Sequence, residues 1–312
     1  MEDGSPRVSI LVISYNTREL TLDCLRSVQV ETTVPHEVIV VDNVSSDGSA
    51  AAIAAAFPGL TLLAESENHG FAKGNNIAAS RARGEYILLL NPDTVVLDHA
   101  IDHLVAFAEQ NPEARIWGGR TRFADGSLNP SSCWRKMGLW AIFCRSTGLT
   151  GLFPRSEVFN PEAYGGWDRG SERQVDIVSG CFFLIRRADW EALGGFDPTF
   201  FMYGEEADLC LRAAREMKAR PRVTPSATII HHGGASEKVR TDKMVRLLAA
   251  KSTLIRRHYP RWLQPTAQWG FRLWPWSRAL AFSVLRREAD NARVWKEVWN
   301  RRGEWRDGFP ES

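Results

Sequence analysis

Tyr86-Ile87-Leu88-Leu89-Leu90-Asn91-Pro92-Asp93 is the stretch on which the predicted fold depends. Its continuous apolar run ends in turn residues, which predicts a strand buried on both faces, although a buried helix segment has the same pattern. Pro92 lacks a backbone N–H and disfavours helix at Asn91, so we expect the strand to end there. Asn91 and Asp93 would then lie at the carboxyl end of a central strand, where open α/β sheets bind ligands. Their side chains suit a hard divalent cation held together with substrate phosphates; the alternative is an Asp-capped turn.

Strand and helix patterns alternate along the first half of the chain. β-Branched and aliphatic runs predict strands, and the amphipathic or alanine-rich segments between them predict helices, the first capped by Asn16 or Thr17. The predicted strands cover residues 8–14, 38–43, 60–63, 86–90 and a stretch near 116, and the predicted helices cover 18–30, a stretch ending near 57, 72–83 and 98–110. Short loops between alternating elements are typical of a mostly parallel, Rossmann-like α/β sheet with flanking helices.

The second half of the chain is less regular. Residues 125–168 are rich in Gly, Pro, Ser and Trp and predict a long loop with short elements, a kind of segment that is often functional. Residues 175–185 form the longest strand candidate, in which Gly180 indicates a bulge or a close approach of the backbone. A short helix is expected at 189–193 and an amphipathic helix at 205–220, and the stretch 228–234, which includes His231-His232, is expected to be a strand that runs into a glycine-containing loop.

Composition limits the class of protein. The chain has 312 residues, 44% of them hydrophobic, which is enough for one large α/β domain with a helical appendage. Five scattered Cys with no CxxC pair argue against a zinc site or a disulfide framework and predict a reducing cytoplasm. A strand pattern begins by Val8, so no signal peptide is expected, and no apolar run reaches the roughly 18 residues of a spanning helix.

Two polar features follow predicted strands in the first half. Asp42 stands at a strand end, where its carboxylate either contacts a base or ribose or caps the next loop. The segment Asn68–Asn76 enters a helix whose free N–H groups favour an anion, although a plain helix start explains it equally well. Neither a P-loop nor a dinucleotide-binding glycine pattern is present.

Two more features lie in the second half. Tyr203-Gly204-Glu205-Glu206-Ala207-Asp208 places three carboxylates at a helix start, where one serves as a general base or all three compensate the helix dipole. His231-His232 ends a strand before two glycines, and an imidazole there is either a metal ligand or structural.

The motifs occur in a specific order along the chain. That order resembles the inverting family 2 glycosyltransferases of the GT-A fold, above all the bacterial rhamnosyltransferase-like branch, over about the first 240 residues. The segments that carry the resemblance are residues 8–16, 41–43, 68–76, 90–93, 194–197, 201–212 and 231–234.

The resemblance implies roles for individual residues. Asp42 would contact the nucleotide base, Asp93 would hold Mg²⁺ or Mn²⁺ that bridges the donor diphosphate, and His231 would complete the metal shell. Glu206 stands where the family usually has the Asp that acts as base, so a base one methylene longer is implied, with Glu205 as the runner-up. The implied nucleotide-sugar site comprises Ser14, Tyr15, Asn16, Asp42, Asn68, Gly70, Phe71, Asn75, Asn91 and Asp93.

The implied activity is metal-dependent transfer of a hexose from a nucleotide diphosphate with inversion. The first donor is dTDP-L-rhamnose and then the UDP-sugars; the acceptor is a hydroxyl of a glycan, a lipid-linked molecule or a small molecule, in bacterial surface polysaccharide synthesis. Trp167, Gly180 and Tyr203 are the candidate acceptor-binding residues. Sugar-nucleotide pyrophosphorylases share the broad fold but need a glycine-rich basic loop after the first strand. A degenerate protein that binds a sugar nucleotide or scaffolds a complex is the non-enzymatic alternative.

The predicted domain division ends in a basic tail. Residues 1–240 form the GT-A domain, with a nucleotide half to about 120 and an acceptor half beyond it, and residues 241–312 form a helical extension. Residues 251–312 carry 13 Lys/Arg, 6 Asp/Glu and seven of the 12 Trp. Mixed Arg and Trp suit the inner face of the cytoplasmic membrane as a peripheral site, while packing on the catalytic domain or on a second copy in a homodimer is the alternative. No nucleic-acid recognition motif is present.

Overall fold

The computed structural model describes residues 5–233, 239–285 and 289–310. These residues form two compact units. The first contains residues 5–134, 168–201 and 205–233, and the second contains residues 135–167, 202–204 and the described residues from 239 onward.

All strands of the described chain belong to the first unit. They are β1 (Val8–Ser14), β2 (His36–Asp42), β3 (Thr61–Ala64), β4 (Tyr86–Leu90), β5 (Thr94–Val96), β6 (Ile116–Arg122), β7 (Leu128–Asn129), β8 (Cys133–Trp134), β9 (Arg173–Gln174), β10 (Ile177–Val178), β11 (Phe182–Arg186) and β12 (Arg222–His231). Its helices are α1 (Arg18–Glu31), α2 (Ser49–Ala56), α3 (Gly70–Ala79), α4 (Ala100–Gln110), α7 (Arg187–Ala192) and α8 (Glu205–Glu216), while the second unit holds α5 (Leu139–Thr147), α6 (Leu149–Leu152), α9 (Arg240–His258), α10 (Gln264–Leu285) and α11 (Ala289–Asn300).

The main sheet has the strand order β3-β2-β1-β4-β11-β6-β12-β5. The first four strands are parallel, as the alternating pattern predicted, and β6 and β12 are parallel to each other. β11 is antiparallel to both of its neighbours, and β5 is antiparallel to β12. The sheet is therefore mixed, with its parallel part built from the N-terminal half.

The stretch on which the prediction rested is confirmed as the central strand. Every residue of β4 is buried, and β1 and β11 flank the strand on its two sides. Tyr86, Leu88 and Leu90 join side chains of β1, α1 and α4 in the main core. Leu90 is the last residue of the strand, so Asn91 and Asp93 emerge at its carboxyl end as expected.

The predicted strand at 175–185 is wrong as a single element. It divides into β10, which pairs with β8 in a small separate sheet, and β11, which enters the main sheet. The backbone N–H of Ser179 donates to the carbonyl of Ser132, so the chain leaves one sheet before it joins the other. The apolar pattern runs through both pieces because each piece is buried, and burial alone does not mark the break.

The second unit is built from helices. Its core contains Met137, Ala141 and Ile142 together with apolar side chains of α9, α10 and α11. Residues 135–167, which we assigned to the acceptor half of the catalytic domain, therefore pack with the C-terminal helices. The amphipathic character of α5 supplies the physical reason, since its buried residues Ala141 and Ile142 belong to the core that these helices form.

A buried charge cluster also holds this unit together. The carboxylate of Glu162 accepts from Arg145 at 2.7 Å and from Lys251. Burial by itself would raise the pKa of Glu162, but the two cations lower it to about 2. The five cysteines are all buried and free, and among the residues described no helix combines the length and apolar character that crossing a bilayer requires.

Candidate functional site

Sheet pairing brings Asp93 and His231 together from distant parts of the sequence. β5 begins immediately after Asp93 and pairs antiparallel with the end of β12, which sets Thr94 opposite His231. Nε2 of His231 lies 3.3 Å from Oδ1 of Asp93 and 3.3 Å from Nδ2 of Asn91. Three of the predicted ligand-binding side chains therefore meet at the carboxyl end of β4.

The electrostatics of this group follow from its burial. Burial by itself would raise the pKa of Asp93, but the hydrogen bond and the charge of His231 lower it. Burial would lower the pKa of His231, but Cys181 and Asp93 beside the ring raise it to about 10. The contact between the two side chains therefore favours the charged form of each, the imidazolium and the carboxylate.

The donor chemistry of the group fits a divalent cation. A carboxylate, an imidazole and the side-chain oxygen of Asn91, which is buried without a hydrogen-bond partner, are available at one point. A cation there would take the place of the proton on His231. Within the described residues no group of three or more His, Cys, Asp and Glu side chains could hold a metal, so the protein offers a partial set that ligand oxygens would have to complete.

Asp42 has one satisfied and one unsatisfied oxygen at the end of β2. Its Oδ2 accepts from the backbone N–H of Ser45 at 3.0 Å, which is the loop-capping alternative. Its Oδ1 is buried and has no hydrogen-bond partner, and the residue is only 2% exposed. A buried, unsatisfied carboxylate oxygen favours a bound donor group, so the capping role does not exclude the ligand role.

The segment after β1 frames the same edge of the sheet. The hydroxyl of Ser14 is buried within 3.4 Å of Thr17, whereas Tyr15 is exposed. Asn16 adopts a positive φ, and its Oδ1 accepts from the backbone of Ser46 at 2.7 Å. Asn16 therefore fastens the loop after β1 to the loop after β2.

Thr17, one of the two predicted caps, occupies the N-cap position of the first helix but does not cap it with its side chain. Neither Asn16 nor Thr17 makes a side-chain capping bond to α1. Oδ2 of Asp47, from the loop after β2, instead accepts from the backbone N–H of Arg18 at 2.9 Å. A cap supplied across 29 residues leaves no signal in the local sequence.

The first two backbone N–H groups of α3 donate to acceptors within the protein, as in an ordinary helix start. The backbone N–H of Gly70 donates to Oδ1 of Asn68 at 2.9 Å, and that of Phe71 donates to the carbonyl of Phe201 at 2.8 Å. The predicted free N–H groups are thus already used at these positions. Gly70 has φ +72°, and a Cβ there would clash with Phe201. Farther along α3, Oδ1 of Asn75 is buried without a partner.

Gly180 lies between a ring and a carboxylate-bearing side chain. A Cβ on Gly180 would lie 3.1 Å from Cε1 of Phe71 and 3.9 Å from Cβ of Glu206. The close backbone approach predicted at Gly180 is therefore confirmed. Phe71, predicted to bind the nucleotide sugar, and Glu206, the predicted base, therefore both lie next to Gly180, which is predicted to bind the acceptor.

The two candidate bases differ in burial. Glu205 is 3% exposed, whereas Glu206 is half-buried and adjoins Gly180. Arg212 fixes α8 by pairing with Asp208 at 2.7 Å and by donating to the backbone carbonyl of Gly195 at 2.7 Å. Glu206 thus projects from a helix end whose position is held by buried charge-assisted bonds.

The model of the family described as "Glycosyl transferase family 2" matches residues 9–194, which include the central strand, Asp42, Asp93 and Gly180. The chain belongs to glycosyltransferase family 2. The resemblance based on the ordered motifs is confirmed, and the first unit of this glycosyltransferase has the predicted GT-A fold.

Individual relatives of this glycosyltransferase agree with the assignment. It is 30% identical over 243 residues to the O-antigen biosynthesis protein RfbC of Myxococcus xanthus, which covers 75% of this chain and only 18% of that protein. It is also 30% identical over 243 residues to N-acetylglucosaminyl-diphospho-decaprenol L-rhamnosyltransferase of Mycobacterium tuberculosis, covering 72% of this chain and 75% of the relative. Among solved structures it is similar to the mannosyltransferase PcManGT of Pyrobaculum calidifontis in complex with GDP-Man and Mn²⁺, with a TM-score of 0.58, 18% identity, and coverage of 95% of this chain and 84% of that one.

The remaining predicted residues of the glycosyltransferase lie in the second unit. The ring of Trp167 packs edge-on against Tyr164 with centroids 5.9 Å apart. Tyr203 has a positive φ, and Nζ of Lys243 lies 5.8 Å from its ring centroid. Gly180, the third candidate for acceptor binding, belongs to the first unit.

Two residues outside the predicted site, Cys181 and Asn43, contact its members. Cys181 faces His231, and its carbonyl accepts from the backbone N–H of Asn91 at 3.1 Å. Asn43 donates from Nδ2 to the carbonyl of Gly70 at 3.1 Å and so ties the end of β2 to α3. Asn43 follows Asp42 directly and had a local signal, whereas Cys181 had none because its role depends on the pairing of β11 with β4. Gly234, the last residue of the predicted 231–234 motif, lies outside the described residues.

Proposed function

We propose that this protein is a metal-dependent, inverting glycosyltransferase that transfers L-rhamnose from dTDP-L-rhamnose, with UDP-sugars as the second choice of donor. The observation that carries the proposal is the meeting of Asp93, His231 and Asn91 at the end of β4, in the same unit as Glu206 and Gly180. Sugar transfer from a nucleotide diphosphate requires side chains that hold a cation at the diphosphate and a carboxylate that serves as base, and both are present within one unit.

The relatives support the choice of sugar. The Mycobacterium tuberculosis relative is named as an L-rhamnosyltransferase, and it aligns over 75% of its own length. The unsatisfied Oδ1 of Asp42 would accept a hydrogen bond from the imide N–H of thymine or uracil, because an ionised carboxylate only accepts. This pairing would hold the base end of the donor at the carboxyl end of β2.

Asp93 and His231 would hold Mg²⁺ or Mn²⁺, with the side-chain oxygen of Asn91 as a third candidate ligand. When bound, the cation would supply positive charge to the donor diphosphate as it departs. The protein offers too few ligands of its own, so donor phosphates would complete the shell and nucleotide binding would depend on the metal. The Mn²⁺ complex of the archaeal mannosyltransferase shares the fold with this chain and is consistent with such a site.

Glu206 would act as the general base on the acceptor. Its half-buried position leaves the carboxylate within reach of a substrate, whereas Glu205 is enclosed by the first turn of α8 and its surroundings. Removal of the acceptor proton by Glu206 would allow the hydroxyl oxygen to attack the anomeric carbon opposite the leaving diphosphate, so a single displacement would invert the configuration. Gly180 would let the acceptor approach closely between Phe71 and Glu206.

The acceptor is proposed to be a lipid-linked or glycan hydroxyl in bacterial surface polysaccharide synthesis. The names of the two relatives support this class, since one acts in O-antigen biosynthesis and the other on a diphospho-decaprenol acceptor. Trp167 and Tyr203 are proposed to contribute ring surfaces to acceptor sugars.

A thermal-shift screen tests the donor part of the proposal. dTDP-L-rhamnose, UDP-glucose, UDP-N-acetylglucosamine and GDP-mannose are each added with Mn²⁺, with Mg²⁺ and with EDTA. We expect a rise in melting temperature with dTDP-L-rhamnose that requires the metal, because only the folded protein binds the complex. If none of the nucleotides raises the melting temperature of a protein shown to be folded, the result would favour a degenerate scaffold protein instead.

Product analysis tests the chemical part. A synthetic N-acetylglucosaminyl-diphospho-polyprenol is incubated with the donor that gave the shift, and the anomeric configuration of the product is read by NMR. The donor's configuration must be inverted in the product. Retention would exclude single displacement and with it the role of Glu206.

A further inference from the structure

Helix α10 is apolar on two opposite faces. One face, with Ala267, Phe271 and Trp274, packs into the core of the second unit. The other face carries what we call the tryptophan stripe: Trp262 in the turn before the helix, then Trp269, Trp276 and Leu280. Steps of seven and four residues keep these side chains on one side of a helix.

The stripe is open to solvent. Trp262, Trp269 and Trp276 are 79%, 66% and 45% exposed. Within the described part of the chain, none of these three indoles makes a ring contact or a hydrogen bond. A helix with one face in a core normally presents polar side chains on the opposite face, so this exposed apolar face is expected to have a partner outside the chain.

The second unit concentrates such surface. Of the sixteen exposed large apolar side chains among the described residues, eleven belong to this unit, although it contains only about a third of the chain. A second cluster lies on α5, where Trp140 stacks on Phe143 at 5.3 Å and donates its indole N–H to the carbonyl of Val158. The rings of that cluster cover one another, which distinguishes them from the indoles of the stripe.

Charge selects the class of partner. α10 contains Arg272 and Arg278 and no Asp or Glu; Arg261, next to Trp262 in the sequence, and Arg272 are both exposed, and Arg272 also pairs with Asp307 at 3.2 Å. Residues 251–312 have 13 basic and 6 acidic side chains, a net charge of +7. Indoles prefer the headgroup depth of a bilayer, and arginines beside them attract anionic phosphate. Two copies joined through this face would instead bring like charges together.

We propose that the tryptophan stripe docks the enzyme on the headgroup region of an anionic lipid bilayer. The contact is peripheral, because among the described residues no helix could cross a membrane. The biological role of this docking rests on the proposed function, because it would bring the enzyme to a lipid-linked acceptor. The contact between the stripe and lipid does not depend on that function.

A flotation assay tests the stripe directly. The full-length protein is mixed with vesicles of phosphatidylglycerol and phosphatidylcholine, or of phosphatidylcholine alone, without nucleotide, metal or acceptor. The variant Trp262→Gln/Trp269→Gln/Trp276→Gln removes the exposed indoles. Trp140→Gln is the matched control, because Trp140 is exposed to 48%, close to Trp276, and lies in the same unit.

The expected result is specific to lipid charge and to the stripe. Wild type and Trp140→Gln float with anionic vesicles and much less with phosphatidylcholine, and the triple variant binds at least about tenfold more weakly, since three apolar side chains no longer enter the interface. If the triple variant is misfolded by circular dichroism, quenching of wild-type fluorescence by brominated phospholipid replaces it, and unquenched fluorescence would overturn the proposal.

Other outcomes also overturn it. Absence of wild-type flotation, equal flotation of the triple variant, or equal loss with Trp140→Gln would each remove the stripe as a lipid site. A dimer in light scattering that the triple variant dissociates, without any flotation, would make the face an interface between copies. The Asp93→Asn variant separates this inference from the proposed function, because it must float like wild type even if no glycosyl transfer is ever observed.

Discussion

Replacing Gly180 by Ala adds one methyl group at the point where the proposed acceptor site is narrowest. Gly180 has an ordinary φ, so alanine fits its backbone. The new Cβ would lie 3.1 Å from Cε1 and 3.4 Å from Cζ of Phe71, against 3.4–4 Å in ordinary contact. The ring of Phe71 must therefore move by a few tenths of an ångström, and the methyl group occupies space between it and Glu206.

The cost to stability should be small. A side chain forced about 30° from its rotamer costs roughly 0.5–1.5 kcal/mol. Replacing glycine by alanine gains about 0.4–1 kcal/mol by restricting the unfolded chain. The free energy of unfolding should therefore change by less than about 1 kcal/mol. Catalysis is more sensitive, since a 1 Å misplacement of reacting groups costs about 100-fold, so we expect kcat/KM to fall about 10- to 100-fold.

Release of nucleoside diphosphate in the presence of acceptor gives kcat/KM, and urea unfolding gives stability. Gly59→Ala is the matched control, because a Cβ at Gly59 meets no heavy atom within 4 Å and its φ is also ordinary. It should keep full activity. A Gly180→Ala enzyme with wild-type kcat/KM would refute the placement of the acceptor beside Gly180. A loss of several kcal/mol in stability would instead show that the glycine serves packing.

Three further predictions follow from the site and its surroundings. Asp93→Asn should remove the metal-dependent thermal shift with the donor and lower kcat/KM at least about 100-fold while circular dichroism stays unchanged; a persisting shift would exclude Asp93 as a ligand. Glu206→Gln should lower kcat about 10²- to 10⁴-fold with little change in donor binding, and Glu205→Gln should retain more activity; the reverse order would make Glu205 the base. Glu162→Gln should cost about 3 kcal/mol in urea unfolding because the half-buried cations Arg145 and Lys251 lose a buried carboxylate, whereas Glu157→Gln, in an exposed ion pair, should be nearly neutral. Since the pKa of Glu162 is lowered to about 2, its contribution to stability is present above the unfolded pKa near 4.5 and is lost as pH falls from there towards 2, so the stability of the wild type should decline more steeply in that window than that of Glu162→Gln.

The site was predictable where its residues follow strands directly. Asp42, Asn91 and Asp93 each come at the end of a continuous apolar run, and parallel strands place their carboxyl ends at one edge of a sheet. Gly180 was recognisable because a glycine inside an apolar run indicates close approach. These inferences use only neighbours in sequence, so local patterns were sufficient for them.

Local patterns did not predict the candidate site where its geometry depends on non-local pairing, and the link between Asp93 and His231 was implied only by the family resemblance. His231 reaches Asp93 only because β12 pairs with the three-residue strand β5, which was too short to recognise from its sequence. The same holds for Cys181, for the capping of α1 by Asp47, and for the use of Phe201 at the start of α3. Each contact joins residues separated by at least 29 positions, and hydrophobic periodicity carries no information about such partners.

The sequence by itself determined the alternation of strands and helices, the buried central strand and the ordered motifs of the family. These properties depend on side-chain polarity and backbone preference over a few residues, which are local. The tertiary structure alone decided that the run 175–185 divides between two sheets, that residues 135–167 pack with the C-terminal helices, and which tryptophans of the tail are buried. Those outcomes depend on which apolar surfaces pack against each other. Every apolar segment favours burial, but only the folded chain determines which surface buries it.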